Sequence, residues 1–211
     1  MASIHPARTT PRRIRIRRRR VTGLALVVAA IAVAAGDESP GSTEPPVLSS
    51  SPAPERHRPP GEADGAVPDG TTVFDNEVPG VARLDADLLG ALRRAATDAA
   101  AAGVQFHVDS GWRSPAYQEH LLRQAIAKYG SEAEAARWVA TPNRSAHVSG
   151  DAVDIGPSGA AAWLSEHGAA YGLCRTYGNE PWHYELRPEA VDHGCPAMYA
   201  DPTHDPRMQH D

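Results

Sequence analysis

The first 35 residues of this 211-residue chain contain no Asp or Glu, while eight arginines crowd between Arg8 and Arg20. All 26 acidic residues therefore come later, and the overall formal charge of −5 conceals two opposite segments. Beyond residue 35 there are 13 basic residues against those 26, a formal charge of −13. So acidic a body argues against nucleic acid as a main partner, because phosphate binding needs a basic face. Long apolar runs are also missing. The longest, residues 21–35, is broken only by Thr22 and Gly23 and falls short of the ~20 residues that span a bilayer comfortably. Following a basic segment, with Ala32-Val33-Ala34 as a small-residue cleavage site, it reads as an export signal or an uncleaved anchor. No cysteine follows it, which argues against a lipoprotein, and Arg19-Arg20 is only a weak twin-arginine feature. The two cysteines, Cys174 and Cys195, most often mean a disulfide in an exported chain, with two buried thiols as the alternative. A Gly-x-Ser-x-Gly elbow is absent, which disfavours a serine hydrolase. A cysteine protease would need Cys174 free beside His183, and Cys195 offers it a partner instead.

What is present divides the chain into four parts. Residues 1–35 form the basic leader. Residues 36–70 are rich in Pro, Gly, Ser and Glu with almost no large apolar side chain, and are expected to be a disordered linker. Residues 71–200 carry the periodic patterns of a folded domain, and residues 201–211 are expected to be a loosely ordered tail. Within the domain, Asp85 should cap a helix carrying Leu88, Leu89, Leu92 and Ala96, closed by Gly103. Residues 104–108 alternate like a strand and run into Asp109-Ser110-Gly111-Trp112-Arg113. Ser114 and Pro115 start a second helix that ends at Gly130, and Ser131 with Glu134 caps a third, through Val139. Residues 141–150 read as a loop, 152–155 as a short strand, 160–167 as a helix and 182–186 as a strand. There is no internal repeat. Helices and short strands mix without regular alternation, which predicts an α+β domain with a small, mainly antiparallel sheet packed with helices.

The chemistry concentrates in two stretches: Ser145-Ala-His-Val-Ser-Gly-Asp-Ala-Val-Asp154, and Glu180-Pro-Trp-His183. His147 and Asp154 flank a turn at Gly150, so a loop and a strand can bring them together with His183. Two imidazoles and a carboxylate suit zinc, whose catalytic sites take three protein ligands and keep a fourth position open. Spacing alone is weak support in a chain with ten histidines. Glu180 could exchange a proton beside such a metal, although spacing alone favours a surface acid at a turn.

These motifs, with Ser110-Gly-Trp-Arg113 ahead of the second helix, resemble the D-alanyl-D-alanine carboxypeptidase (VanY-like) family of zinc peptidases. The resemblance covers residues 75–188 with the motifs in order. It implies a Hedgehog/DD-peptidase-like fold and removal of the terminal D-Ala from peptidoglycan stem peptides. It further implies one zinc ion held by His147, Asp154 and His183, with Glu180 as general base and then acid. Arg113 would contact substrate and steady the developing oxyanion, as a planar cation can. Ser145, Gln118 and Tyr117 are candidate substrate contacts, and Trp182 is expected to be core. An endopeptidase of the same fold, or a non-catalytic zinc-stabilised cell-wall binding module, is the alternative. The protein is expected to act as a monomer outside the cell, free, wall-associated or tethered through its leader.

Overall fold

The computed structural model describes residues 59–209. The leader and the first two-thirds of the expected linker lie outside those residues. The described chain forms α1 (Pro79–Ala82), α2 (Ala86–Ala101), β1 (His107–Ser110), α3 (Pro115–Tyr129), α4 (Glu132–Ala135) and α5 (Ala146–Ser149). Then follow β2 (Ala152–Gly156), α6 (Ser158–His167), β3 (Leu173–Arg175), β4 (His183–Leu186) and α7 (Ala190–His193). The strands make one sheet in the order β1-β2-β4-β3, and every pair is antiparallel. The fold is α+β, as the mixed pattern predicts.

Local chemistry sets most element ends. The Asp85 carboxylate accepts from the Asp87 and Leu88 amides, using two donors that the first turn of α2 leaves without partners. Ser114 caps α3 through the Tyr117 amide with Pro115 at the first position, and Gly130 closes it in the left-handed region. Ser131 caps α4 through Glu134, but α4 stops at Ala135 rather than Val139. The chain then turns and lays Trp138 flat on Tyr129 of α3, ring centroids 5.8 Å apart.

The sheet is buried on both faces. Val153 and Ile155 of β2 and Tyr184 of β4 join the core with Leu88, Leu92 and Ala95 of α2 and Leu164 of α6. The Tyr184 hydroxyl donates to the Ala161 carbonyl of α6. Because side chains alternate along a strand, Asp154, His183 and Glu185 point to the opposite face. Cross-strand register makes a row of them: Ser110 faces Asp154, and Asp154 faces His183. The sheet thus delivers three polar side chains from three strands to one patch.

Three further expectations change. The first strand runs His107–Ser110 rather than 104–108, because pairing with β2 extends it into the Ser110 motif, while the Val104 amide still closes α2 on Ala99. Residues 59–70 are folded where a disordered linker was expected. A 3-10 turn at Glu62–Asp64 brings the Asp64 carbonyl to the Ser114 amide, and Val67 packs against the core. The tail is also built into the molecule: Asp201 and Asp205 are buried, and two further 3-10 turns carry residues 202–208. Both segments look polar in sequence; the first is held by hydrogen bonds from Ser114 to Asp64 and by Val67, the second by backbone and ion-pair bonds to distant residues. The disulfide Cys174–Cys195 is present and ties β3 to the segment after α7.

Candidate functional site

His147 sits on the single turn α5, which Gly150 ends at φ +87°. A Cβ on Gly150 would also come within 2.6 Å of the Arg83 carbonyl oxygen, so two constraints converge on glycine there. The Ser110-Gly-Trp-Arg113 loop grips this turn twice, both times at His147. His147 Nδ1 lies 2.8 Å from the Gly111 carbonyl, and the Arg113 amide donates to the His147 carbonyl. The Gly111 contact makes Nδ1 the protonated nitrogen and turns the lone pair of Nε2 towards Asp154 and His183.

The three donor atoms form a nearly regular triangle. His147 Nε2 is 3.3 Å from His183 Nδ1, His183 Nδ1 is 3.3 Å from Asp154 Oδ1, and Asp154 Oδ1 is 3.5 Å from His147 Nε2. A tetrahedral ion bonded at about 2.0–2.1 Å sets its ligand atoms about 3.3–3.4 Å apart. The residues therefore fit such a metal without rearrangement, and all three are buried. Each also has an outer partner, as metal ligands generally do. His147 has the Gly111 carbonyl, Asp154 has Arg113 Nη2 at 3.0 Å, and His183 Nε2 has Glu185 Oε1 at 3.3 Å.

Electrostatics fit the same description. Burial pushes the Asp154 carboxyl up, but His147, His183 and Arg113 outweigh it and hold the group well below the carboxylate range. Burial, with Arg113 beside it, lowers His147 and favours the neutral ligand form. For His183 burial also opposes charge, yet Asp154, Glu185 and Glu180 raise it to about 9 in the metal-free protein. Burial carries Glu180 up to about 7, with His183 pulling down and Asp154 pushing up. Glu180 Oε2 lies 3.7 Å from His183 Nδ1, at the edge of the donor triangle.

Arg113 is held in place on three sides. Nε donates to the Ser110 hydroxyl at 2.8 Å, Nη1 to Gln118 Oε1 at 3.1 Å, and Nη2 to Asp154. A guanidinium carries five N–H donors, so two remain for a ligand in the adjoining cleft. Gln118, a candidate substrate contact, is 1% exposed. Its amide is taken by Arg113 and the Ala140 carbonyl, so it orients Arg113 instead. Ser145 lines the cleft and spends no side-chain bond on capping α5. Tyr117 is not among the residues that line the cleft. Trp182, expected in the core, is 40% exposed on the cleft rim. Tyr177, Met208 and Pro202 line the cleft too and escaped sequence reading, because no motif or spacing connects them to it. The cavity, of about 330 Å³, runs from the donor triangle past Arg113 to Tyr129 and Trp138.

Residues 81–189 match the family model described as VanY, D-alanyl-D-alanine carboxypeptidase. A D-alanyl-D-alanine carboxypeptidase of Enterococcus faecalis (strain ATCC 700802 / V583) is 35% identical, the match covering 41% of this chain and 42% of the relative. The chain thus spans about two-fifths of the length of that curated relative. Among solved structures, a VanY D,D-pentapeptidase variant from a VanB-type resistance cassette, in complex with Zn(II), is 30% identical at a TM-score of 0.46. That match covers 49% of this chain and 72% of the other. VanYB in complex with D-alanine-D-alanine is 29% identical at a TM-score of 0.48, covering 53% and 74%.

Proposed function

Since the chain belongs to the VanY D-alanyl-D-alanine carboxypeptidase family, we propose that it is a zinc-dependent D,D-carboxypeptidase that removes the terminal D-Ala from peptidoglycan stem peptides. The observation that carries the metal assignment is the triangle of His147, Asp154 and His183, with edges of 3.3, 3.3 and 3.5 Å, buried and open to a cleft. Zinc, when bound, supplies Lewis-acid polarisation of the scissile carbonyl and acidifies a water molecule. The remaining work falls to side chains of this chain. Glu180, raised to about 7 by burial, exchanges a proton near neutrality. It takes one from the attacking water and delivers it to the leaving D-Ala amine. Arg113, locked by Ser110, Gln118 and Asp154, aims its two remaining N–H groups into the cleft, at the developing oxyanion or the terminal carboxylate. Ser145 offers a hydroxyl to the peptide. The Arg-rich leader and the disulfide together support action outside the cell.

The test is to incubate the zinc-loaded chain with pentapeptide-stem muropeptides and follow products by mass. Chelator-sensitive loss of one terminal alanine is expected. Glu180→Gln should lose about 10²–10⁴-fold in kcat while binding zinc normally. Internal cuts in the stem or cross-bridge would reassign the enzyme as an endopeptidase. A folded, zinc-loaded chain that cleaves nothing would leave a binding module.

A further inference from the structure

His183, Glu185, Arg207, Asp205 and Tyr177 form a closed ring of contacts along one edge of the site. His183 turns Nδ1 to the donor triangle and Nε2 to Glu185 Oε1. Glu185 is 1% exposed, and a carboxylate so buried needs paired charge. Arg207 supplies it as a fork, with Nη1 2.7 Å from Oε2 and Nη2 3.0 Å from Oε1. Arg187 Nη2 adds one further contact to Oε2, at 2.8 Å. Arg207 Nε then donates to both oxygens of Asp205, at 2.9 and 3.1 Å. Asp205, with no exposed surface, accepts from the Tyr177 hydroxyl at 3.0 Å. The Tyr177 ring stands against the His183 ring, centroids 5.1 Å apart, and closes the circuit.

Two members of this ring come from an unexpected part of the chain. Tyr177, His183 and Glu185 lie inside the family match, whereas Asp205 and Arg207 lie past its end at residue 189. The segment that carries them is fastened along its length. The Gly178 amide donates to the Tyr199 carbonyl, the Asn179 amide to Ala200, and the Tyr199 amide to Thr176. Arg137 holds Asp201 at 3.0 Å, and Arg144, from the loop that precedes Ser145, donates to the Met208 carbonyl.

We propose that residues 199–209 form a positioning strap for the metal ligand His183, with Arg207 as the positioning residue acting through Glu185. The proposal rests on the metal reading above. A forked guanidinium fixes the plane of the Glu185 carboxylate. The carboxylate accepts the Nε2 proton of His183, and that sets the tautomer and ring angle that aim Nδ1 at the metal. Without Arg207, Glu185 keeps one contact from Arg187, and Asp205 is left buried without its cation.

The experiment uses the full chain and its Arg207→Ala, Arg207→Lys and Arg137→Ala variants. Three quantities are read: zinc affinity by chelator competition, melting of the metal-free protein, and the visible spectrum of the cobalt-loaded form. Arg207→Ala should bind zinc about 10- to 100-fold more weakly and shift the cobalt bands. Arg207→Lys should recover only part of the affinity, because an ammonium is a point charge and not a fork. Arg137→Ala loosens the outer end of the strap. It should lower the melting temperature and leave zinc affinity within about twofold of the parent. If Arg207→Ala does not fold, a folded Arg207→Lys with weakened zinc binding carries the proposal, and one with parental affinity and cobalt spectrum overturns it. A folded Arg207→Ala with parental zinc affinity overturns it, as does equal weakening in Arg207→Ala and Arg137→Ala. A parent chain that binds no zinc removes the metal reading and the proposal with it, which separates the two failures.

Discussion

Glu180 and His183 stand three residues apart, and in the metal-free protein the titration of both is raised, for different reasons. Burial lifts Glu180 to about 7, while the Asp154, Glu185 and Glu180 carboxylates lift His183 to about 9 against burial. His183 must lose its proton to bind a metal, so protons compete with zinc below pH 9. Zinc affinity should therefore climb as pH rises from 6.5 towards 9 and then level off, and calorimetry in buffers of different ionisation enthalpy should record proton release on binding at pH 7.5. The linkage has a matching consequence for stability. His183 has a folded value above its unfolded ~6.5, so its contribution is fully present below about 6.5 and is lost as pH rises through 9. The chelated protein should thus melt at progressively lower temperature across that window, and His183→Asn should flatten the trend. A flat zinc affinity between pH 6.5 and 9 would rule out a protonated His183 in the metal-free site.

Single elements decide how close the motifs come. The Ser110-Gly-Trp-Arg113 loop meets the chain at Gly80, where a Cβ on Gly111 would stand 2.0 Å from the Gly80 carbonyl oxygen, which is backbone and cannot swing aside. The same Gly111 offers its carbonyl to His147. Gly111→Ala should therefore destabilise the fold by roughly 1–3 kcal/mol, and should weaken zinc binding as the loop backs away from His147. Melting and chelator competition on one sample would read both effects, and an unchanged melting temperature would contradict the close approach. The caps of α2, α3 and α4 were legible in sequence, because Asp85, Ser114 and Ser131 act on amides two or three residues away. The single turn α5 and the strand β3 were not legible. Neither is long enough to show a period, and pairing to β4, not intrinsic preference, makes β3 a strand.

Across the whole molecule, distant covalent and ionic ties complete what the small sheet begins. The Cys174–Cys195 bond closes a loop that contains Glu180, His183 and Glu185. Replacing both cysteines by serine should cost roughly 3 kcal/mol on the chain-entropy estimate, seen as a lower denaturation midpoint under oxidising conditions and as no difference from the parent once the parent is reduced. A midpoint unchanged in oxidising buffer would show that the bond does not constrain the unfolded chain.

What the sequence determined by itself was a candidate ligand set, carried by motifs that resemble those of a known family. His147, Asp154, Glu180 and His183 sit in short motifs whose residue types suit metal binding and proton transfer, and Ser110 to Arg113 precede a helix whose cap is local. The α+β class followed from helix and strand periods for the same reason, since each period is set by near neighbours. Only the tertiary structure decided the supports. It spent Gln118 on Arg113, left Tyr117 outside the cleft and Trp182 on its rim. It also folded residues 59–70 against the Ser114 turn and bound the tail to Glu185 through Arg207. These last two placements join residues tens of positions apart through backbone bonds and buried charge, whose strength depends on low dielectric and exact partners in space, and a linear pattern carries no record of either.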